Sequence, residues 1–293
     1  MSDEAFALVN VPVSVASIFL NSFFVFCMIF PQQGTERLKQ PLKALLGSLV
    51  GCNSTVHITI LVMVFNNIFL TFGSQIMRWY TPSIVIYIMT ASVNSSHWLN
   101  VFYCLQIIPV RHPYSIWFKK NLRVFVYCSL TIKIVICCLL GISVNVTSLS
   151  SFYSDMTDSL LTFTVAAFWI RLSFFILSLC LMLTSSSLTV VFLRRHMKNM
   201  EKSSGSCSSP QRQRQIRVTI MSITIQALLH ITCSILVIIE QLILGVSIIL
   251  FDTNRNILCT VISLYSFGTT INLGLSQGVF RQIVEFYIKS KCM

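Results

Sequence analysis

Seven stretches of mostly apolar residues, divided by short charged or turn-rich segments, govern what this chain can fold into. A hydrocarbon core about 30 Å thick needs a helix of roughly 20 such residues, and in lipid a helix satisfies its own backbone hydrogen bonds. The stretches run approximately from Leu8 to Phe30, Ala44 to Asn66, Ser83 to Val110, Val124 to Ile142, Thr162 to Leu193, Val218 to Leu244 and Ile257 to Phe280. The second contains a polar run, Cys52, Asn53, Ser54 and Thr55, and the outer part of the third is the least regular. With 55% apolar and only 10% charged residues, the composition excludes an ordinary soluble domain. The expectation is an all-α membrane protein, a single bundle of seven transmembrane helices over residues 1–293.

The basic residues set the orientation, because short loops rich in Lys and Arg stay cytoplasmic. Of the 21 basic residues, 17 follow stretches one, three and five or lie in the tail. They are Arg37, Lys39 and Lys43; Arg111, Lys119, Lys120 and Arg123; Arg194, Arg195, Lys198, Lys202, Arg212, Arg214 and Arg217; and Arg281, Lys289 and Lys291. The opposite face has Arg78 and Arg255 against Asp3, Glu4, Asp155, Asp158 and Asp252. An odd number of spans then puts the N-terminus outside and the C-terminus inside. The net charge of +12 is accounted for by this topology and by anionic lipid headgroups, so no nucleic-acid partner is implied. Met1 to Val9 lacks a basic n-region and carries Asp3 and Glu4, so the first helix is expected to act as a signal anchor without cleavage.

The 11 cysteines fall in apolar segments or on the basic face, which predicts no structural disulfide. No internal repeat and no paired Gly/Pro-broken segments point to an inverted-repeat carrier. Enzyme signatures are also missing: there is no phosphate-binding loop, nucleophile elbow or H-E-x-x-H, and no Cys/His set at metal spacing. Neither a cofactor nor a metal is implied. His57, His97, His112, His196 and His230 lie in five different segments and read first as packing or interfacial residues. Lys133 lies near the middle of the fourth stretch, where a charge costs about 2.5–3.5 kcal/mol on insertion scales, so it must face the bundle and find acceptors such as Ser48 or Asn53.

Family-level similarity begins at the end of the third stretch. Trp98-Leu99-Asn100-Val101-Phe102-Tyr103-Cys104-Leu105-Gln106-Ile107 and Arg111-His112-Pro113-Tyr114-Ser115-Ile116-Trp117-Phe118-Lys119-Lys120 resemble the pattern F-Y-x-x-K-I … H-P-x-F-x-W-L-K of bitter taste receptors (taste receptor type 2). Phe174-Phe175-Ile176-Leu177-Ser178-Leu179 resembles P-F-x-x-S-L, and Arg194-Arg195-His196-Met197-Lys198-Asn199-Met200 resembles W-[RK]-H-x-[RK]-x-M. Asn21 stands where the family has its helix 1 Asn, and Phe280-Arg281-Gln282 resembles L-[KR]-Q after helix 7. Departures mark a divergent member, conceivably non-mammalian: Asn53 replaces a helix 2 Arg, Gln106 a helix 3 Lys and Phe174 a helix 5 Pro, and Gln277 is the nearest equivalent of the helix 7 Asn. D-R-Y, C-W-x-P and N-P-x-x-Y, the marks of rhodopsin-like receptors, do not occur.

The resemblance implies a multi-pass, G-protein-coupled chemosensory receptor of the plasma membrane. It would bind small, often amphipathic bitter agonists in an outward-facing pocket among helices 3, 5, 6 and 7, and would activate a gustducin-like heterotrimeric G protein. Alignment of F-Y puts Asn94 at the family's pocket Trp position and Trp98 one turn deeper on the same helix face. Trp offers a broad apolar surface with one donor, and Asn offers directional hydrogen bonds. Trp169 and Arg171 on helix 5 and His230 and Glu240 on helix 6 are further ligand candidates, since intramembrane polar groups mark functional sites unless they snorkel. Arg111, His112, Lys119, Arg195, His196 and Arg217, at helix ends on the basic face, are candidate G-protein contacts. The Ser-rich run from Glu201 to Arg214 reads as a flexible loop, and Cys292 as a palmitoylation candidate. Of three N-x-[ST] sequons, Asn53 and Asn94 fall within spans, which leaves Asn145 in the second extracellular loop as the glycosylation site. Two alternatives stand beside this reading: a vomeronasal type 1-like pheromone receptor, and, in another class, a small membrane transporter or channel.

Overall fold

The computed structural model describes residues 1–30, 41–69, 75–109, 113, 116–132, 158–203, 210–246 and 255–276. Among the described residues there are seven helices and no strand: α1 (Asp3–Ile29), α2 (Leu42–Phe69), α3 (Gln75–Ile107), α4 (116–132), α5 (Asp158–Ser203), α6 (Pro210–Val246) and α7 (Asn256–Ser276). Five contain segments long and apolar enough to cross a membrane: α1, α2, α7, Phe175–Met200 of α5 and Gln213–Ile239 of α6. The helices outrun the apolar stretches that announce them, because helical hydrogen bonding continues where the side chains turn polar. Thus α3 begins at Gln75 and passes through Pro82, which removes one backbone donor without ending the helix. At 46 residues, α5 is about 69 Å long, over twice the hydrocarbon thickness. The run from Glu201 to Arg214, expected as a flexible loop, is helical at both ends, since 201–203 continue this helix and 210–214 open α6. The first turn of α1 is capped by Ser2, whose hydroxyl accepts from the Ala5 amide, and Asp3 and Glu4 complement the helix dipole.

Two buried apolar clusters divide the bundle into halves. One gathers Phe6 of α1, Val56, Ile60 and Met63 of α2, Val85 and Met89 of α3, Phe175 of α5, Val237 of α6 and Ile262 of α7. The other gathers Phe24 of α1, Leu45 and Leu49 of α2, Leu99 of α3, Leu122 and Val126 of α4 and Leu273 of α7. Early residues of α1, α3 and α7 therefore meet late residues of α2 and α6, so the chain runs up and down through the bundle. The second half lies at the end that carries Lys43, Lys119, Lys120, Arg194, Arg195, Arg214 and Arg217, called here the basic end. Large apolar side chains such as Leu8, Phe19, Val62, Leu188 and Met221 are exposed around the outside, a surface suited to lipid. Where α1 meets α7, a Cβ added at Gly274 would come within 2.9 Å of the Phe24 ring, so the absence of a side chain permits the contact.

Helix α3 is the hub. Over three turns its buried polar side chains address four neighbours in succession. Ser92 donates to Asn53 of α2 at 2.7 Å, and Ser95 lies 2.9 Å from Ser48, also on α2. Asn94 and Trp98 turn to Ser129 of α4, Ser96 to Gln226 of α6, and His97 and Asn100 to Ser178, Met182 and Ser186 of α5. These turns, bonded to four neighbours, have a mixed sequence, while Val85, Ile86, Met89 and Val93 give the turns before them an apolar face in the core. In lipid such interhelical bonds add to van der Waals packing and fix register.

Candidate functional site

A polar column joins α1, α2 and α7. Asn53 donates to Thr270 at 3.2 Å and to the Ser266 carbonyl at 3.4 Å, and Thr270 in turn donates to Asn21 at 3.1 Å. Asn21 and Asn53, picked out in the sequence only by their positions, thus meet through a threonine. Farther from the basic end, His57 lies 3.2 Å from Ser14 and Asn10 donates to Thr260 at 2.8 Å. At the end opposite the basic end, Asp3 accepts from Asn67 of α2 and Asn256 of α7, which clasps three helix ends around one carboxylate.

At the basic end a cavity of about 270 Å³ opens between α3, α6 and α7, with Leu49 of α2 on its wall. Its lining includes Asn100, Tyr103, Ser222, Gln226, Asn272 and Ser276. Gln226 is the knot. Its amide donates to Ser96 at 3.0 Å and Thr269 at 3.2 Å, and its carbonyl accepts from Asn272 at 3.0 Å. Asn272 also donates to the Ser222 carbonyl and accepts from the Ser222 hydroxyl at 2.9 Å. All of these groups are buried, so each bond replaces one that lipid cannot supply. The arrangement latches α6 to both α3 and α7 while leaving the space beneath it open. Sequence reasoning passed over Gln226, Ser222 and Asn272; two amides inside apolar stretches were the signal, since such groups persist in a membrane where they have partners.

The ligand candidates are not all brought together. Asn94 and Trp98 share a face, and that face meets α4: the Trp98 indole donates to Ser129 at 2.6 Å, and Ser129 donates to Asn94 at 3.3 Å. The same indole stacks on Phe118 at 6.5 Å between ring centres. The Asn94 amide nitrogen is buried with no hydrogen-bond partner. His230 is fully buried on α6, its ring 6.3 Å from that of Tyr265 on α7. Trp169 is exposed on α5, away from the bundle centre. Arg171 and Glu240 lie in α5 and α6, and their side chains fall outside the described residues.

At the basic end Arg195 and His196 are exposed near the end of α5, with His196 stacked on Phe192, and Arg217 is exposed near the start of α6 beside the cavity-lining turn. Lys119 is exposed on α4, whose buried Leu122 and Val126 belong to the core cluster around Leu45 and Leu99. Arg111, His112, Lys133, Asn145, Gln277 and Cys292 lie outside the described residues. The sequons at Asn53 and Asn94 are buried in α2 and α3, out of reach of a glycosyltransferase. Cys27, Cys52, Cys104, Cys128, Cys180, Cys233 and Cys259 carry free thiols.

A lipid-facing bundle, cross-linked by uncharged polar networks and opening a cavity at its basic end, has the build of a helical membrane receptor. The chain belongs to the taste receptor protein family (TAS2R), whose sequence profile matches residues 2–288. It is 24% identical over 294 residues to taste receptor type 2 member 1 of Pan paniscus, Pan troglodytes and Gorilla gorilla gorilla, covering 94% of this chain and 94% of each relative. The family is one of receptors rather than enzymes, and the chain is a chemosensory receptor of the membrane.

Proposed function

We propose that this receptor detects bitter small molecules at the plasma membrane and passes the signal to a gustducin-like heterotrimeric G protein. In this reading the N-terminus is outside, the basic end is cytoplasmic, and the agonist enters the outer half of the bundle among α3, α5, α6 and α7. The observation that carries the reading is the cavity at the basic end, walled by α3, α6 and α7, with the exposed Arg217 two residues before the lining Thr219 on α6. A cleft at the basic end, on the side opposite the agonist, is where an effector can read helix motion, and the polar latch above it gives the bundle a packing that both partners can bias.

For the agonist, Asn94 supplies a buried, unpartnered amide donor at the α3–α4 seam and His230 a buried imidazole on α6 beside Tyr265. Trp98 acts beneath them, since its bond to Ser129 sets the group that holds the Asn94 carbonyl. Trp169, Arg171 and Glu240 stand farther out on α5 and α6 and select what enters. Arg195, His196 and Arg217, with Arg111, His112 and Lys119, contact the G protein, and Asn145 carries the N-glycan. Family membership favours this reading over a pheromone receptor of the vomeronasal type or a carrier.

The test is calcium release in cells that express the receptor with a gustducin-like α subunit, challenged with a panel of bitter compounds. Agonist-dependent release that disappears when the α subunit is omitted is the expected result. Proper surface expression with no response to any compound would count against bitter detection, and responses that persist without the α subunit would count against the coupling.

A further inference from the structure

The outward face of α4 carries two cations directly before its apolar stretch. Trp117, Lys120, Arg123, Val124 and Tyr127 lie on one side of the helix, related by spacings of three and four apart from the adjacent Arg123 and Val124, and are all exposed. The opposite face, with Leu122 and Val126, is buried in the bundle, so this stripe faces outward from it. An exposed Trp at a helix end sits at the headgroup level. Arg123 comes six residues later, about 9 Å farther along the axis and between the exposed Val124 and Tyr127.

Lys120 and Arg123 are neighbours on the helix surface, and like charges at that spacing repel by a few tenths of a kcal/mol. Among the described residues no carboxylate pairs with either. Topology alone asks for basic residues before the helix enters lipid; it does not ask that two of them share one exposed face that continues directly into exposed apolar residues. An anion between the two cations would remove the repulsion and satisfy a charge that otherwise must snorkel.

We infer that the Trp117–Lys120–Arg123 stripe of α4 is a binding site for the phosphate of an anionic phospholipid, whose acyl chains lie along Val124, Tyr127 and Cys128. The lipid is the occupant that fits both halves of the stripe: two cations for its phosphate and, directly continuous with them, an exposed apolar wall for its chains. Because Phe118 and Ser129 of the same helix hold Trp98, a lipid bound here braces the α3–α4 seam. This site is separate from the agonist and G-protein readings and does not depend on them.

The experiment reconstitutes the full chain in bilayers of equal parts phosphatidylcholine and phosphatidylserine, releases it into mild detergent and weighs the retained lipids by native mass spectrometry. Wild type is expected to keep phosphatidylserine in preference to phosphatidylcholine. Lys120→Gln with Arg123→Gln should lower that retention about thirtyfold, at roughly fivefold for each cation removed from a phosphate near the surface. Arg123→Gln alone gives a second reading of the same loss, about fivefold, should the double variant fail to reach the membrane. Lys120→Arg with Arg123→Lys, and Lys198→Gln on α5, should both retain the lipid. Equal retention of the two lipids by wild type, unchanged retention in the glutamine variants, or displacement of the lipid by free inorganic phosphate would each overturn the assignment.

Discussion

Replacing Gln226 by Leu is the most direct test of how the bundle holds its resting packing. The substitution keeps the approximate volume and removes three bonds: to Ser96 at 3.0 Å, to Thr269 at 3.2 Å and from Asn272 at 3.0 Å. Interhelical side-chain bonds in membrane proteins average about 0.6 kcal/mol, so the three together bias the packing by about 1.8 kcal/mol. Ser96 and Thr269 can turn their hydroxyls to their own helix carbonyls, and Asn272 keeps Ser222, so little is added for stranded groups. If the bonds exist only while α6 lies against α3 and α7, their loss raises the ratio of open to latched receptor about twentyfold. An open fraction of about 1% would then become about 17%, which is readable as agonist-independent signalling. The assay is ligand-free G-protein dissociation in living cells, normalised to receptor at the surface, with agonist midpoints measured in parallel. Raised basal signal with midpoints moved to lower concentration is expected. Wild-type basal signal and midpoints at equal surface expression would show that the Gln226 network stabilises both packings alike, and the latch would have to be abandoned.

Four further outcomes follow from the same geometry. Trp98→Phe removes the bond to Ser129 but keeps most of the ring, and should shift agonist midpoints severalfold with normal surface levels; Trp98→Ala, which also empties the space beside Phe118, should lower surface expression as well, and wild-type behaviour of both would separate Trp98 from the site. Asn145→Gln should increase electrophoretic mobility, while Asn53→Gln and Asn94→Gln should not; a wild-type mass unchanged by deglycosylation would rule out the glycan. An epitope at residue 2 should be stained on intact cells and one at residue 293 only after permeabilisation; both on one face would contradict the orientation. Gly274→Leu should reduce the folded fraction sharply in a thermal-stability assay, because Phe24 already occupies the space; an unchanged midpoint would mean that α1 and α7 are farther apart than described.

The run of apolar stretches determined that this chain is a helical membrane protein, since no other fold buries 20-residue apolar segments at so low a charge. The short motifs around Phe102-Tyr103 and His196 pointed to the taste receptor family, because a motif is a local property that survives in a linear reading. Asn21 and Asn53 were legible as positions, but their meeting through Thr270 was not, because that contact spans 249 residues of sequence from Asn21. Trp98 shows the limit most clearly. Its spacing from Asn94 fixed that the two share a face, and the packing of α3 among its neighbours decided that this face meets Ser129 and Phe118 of α4. The rotation of a helix about its own axis is set by every partner it touches, and between Ser92 and Asn100 α3 sends buried polar groups to four neighbours, so that part of its sequence does not announce which way it turns. The Gln226 latch was hidden for the same reason: its bonds join α3, α6 and α7, and only the assembled bundle brings those three helices to one point.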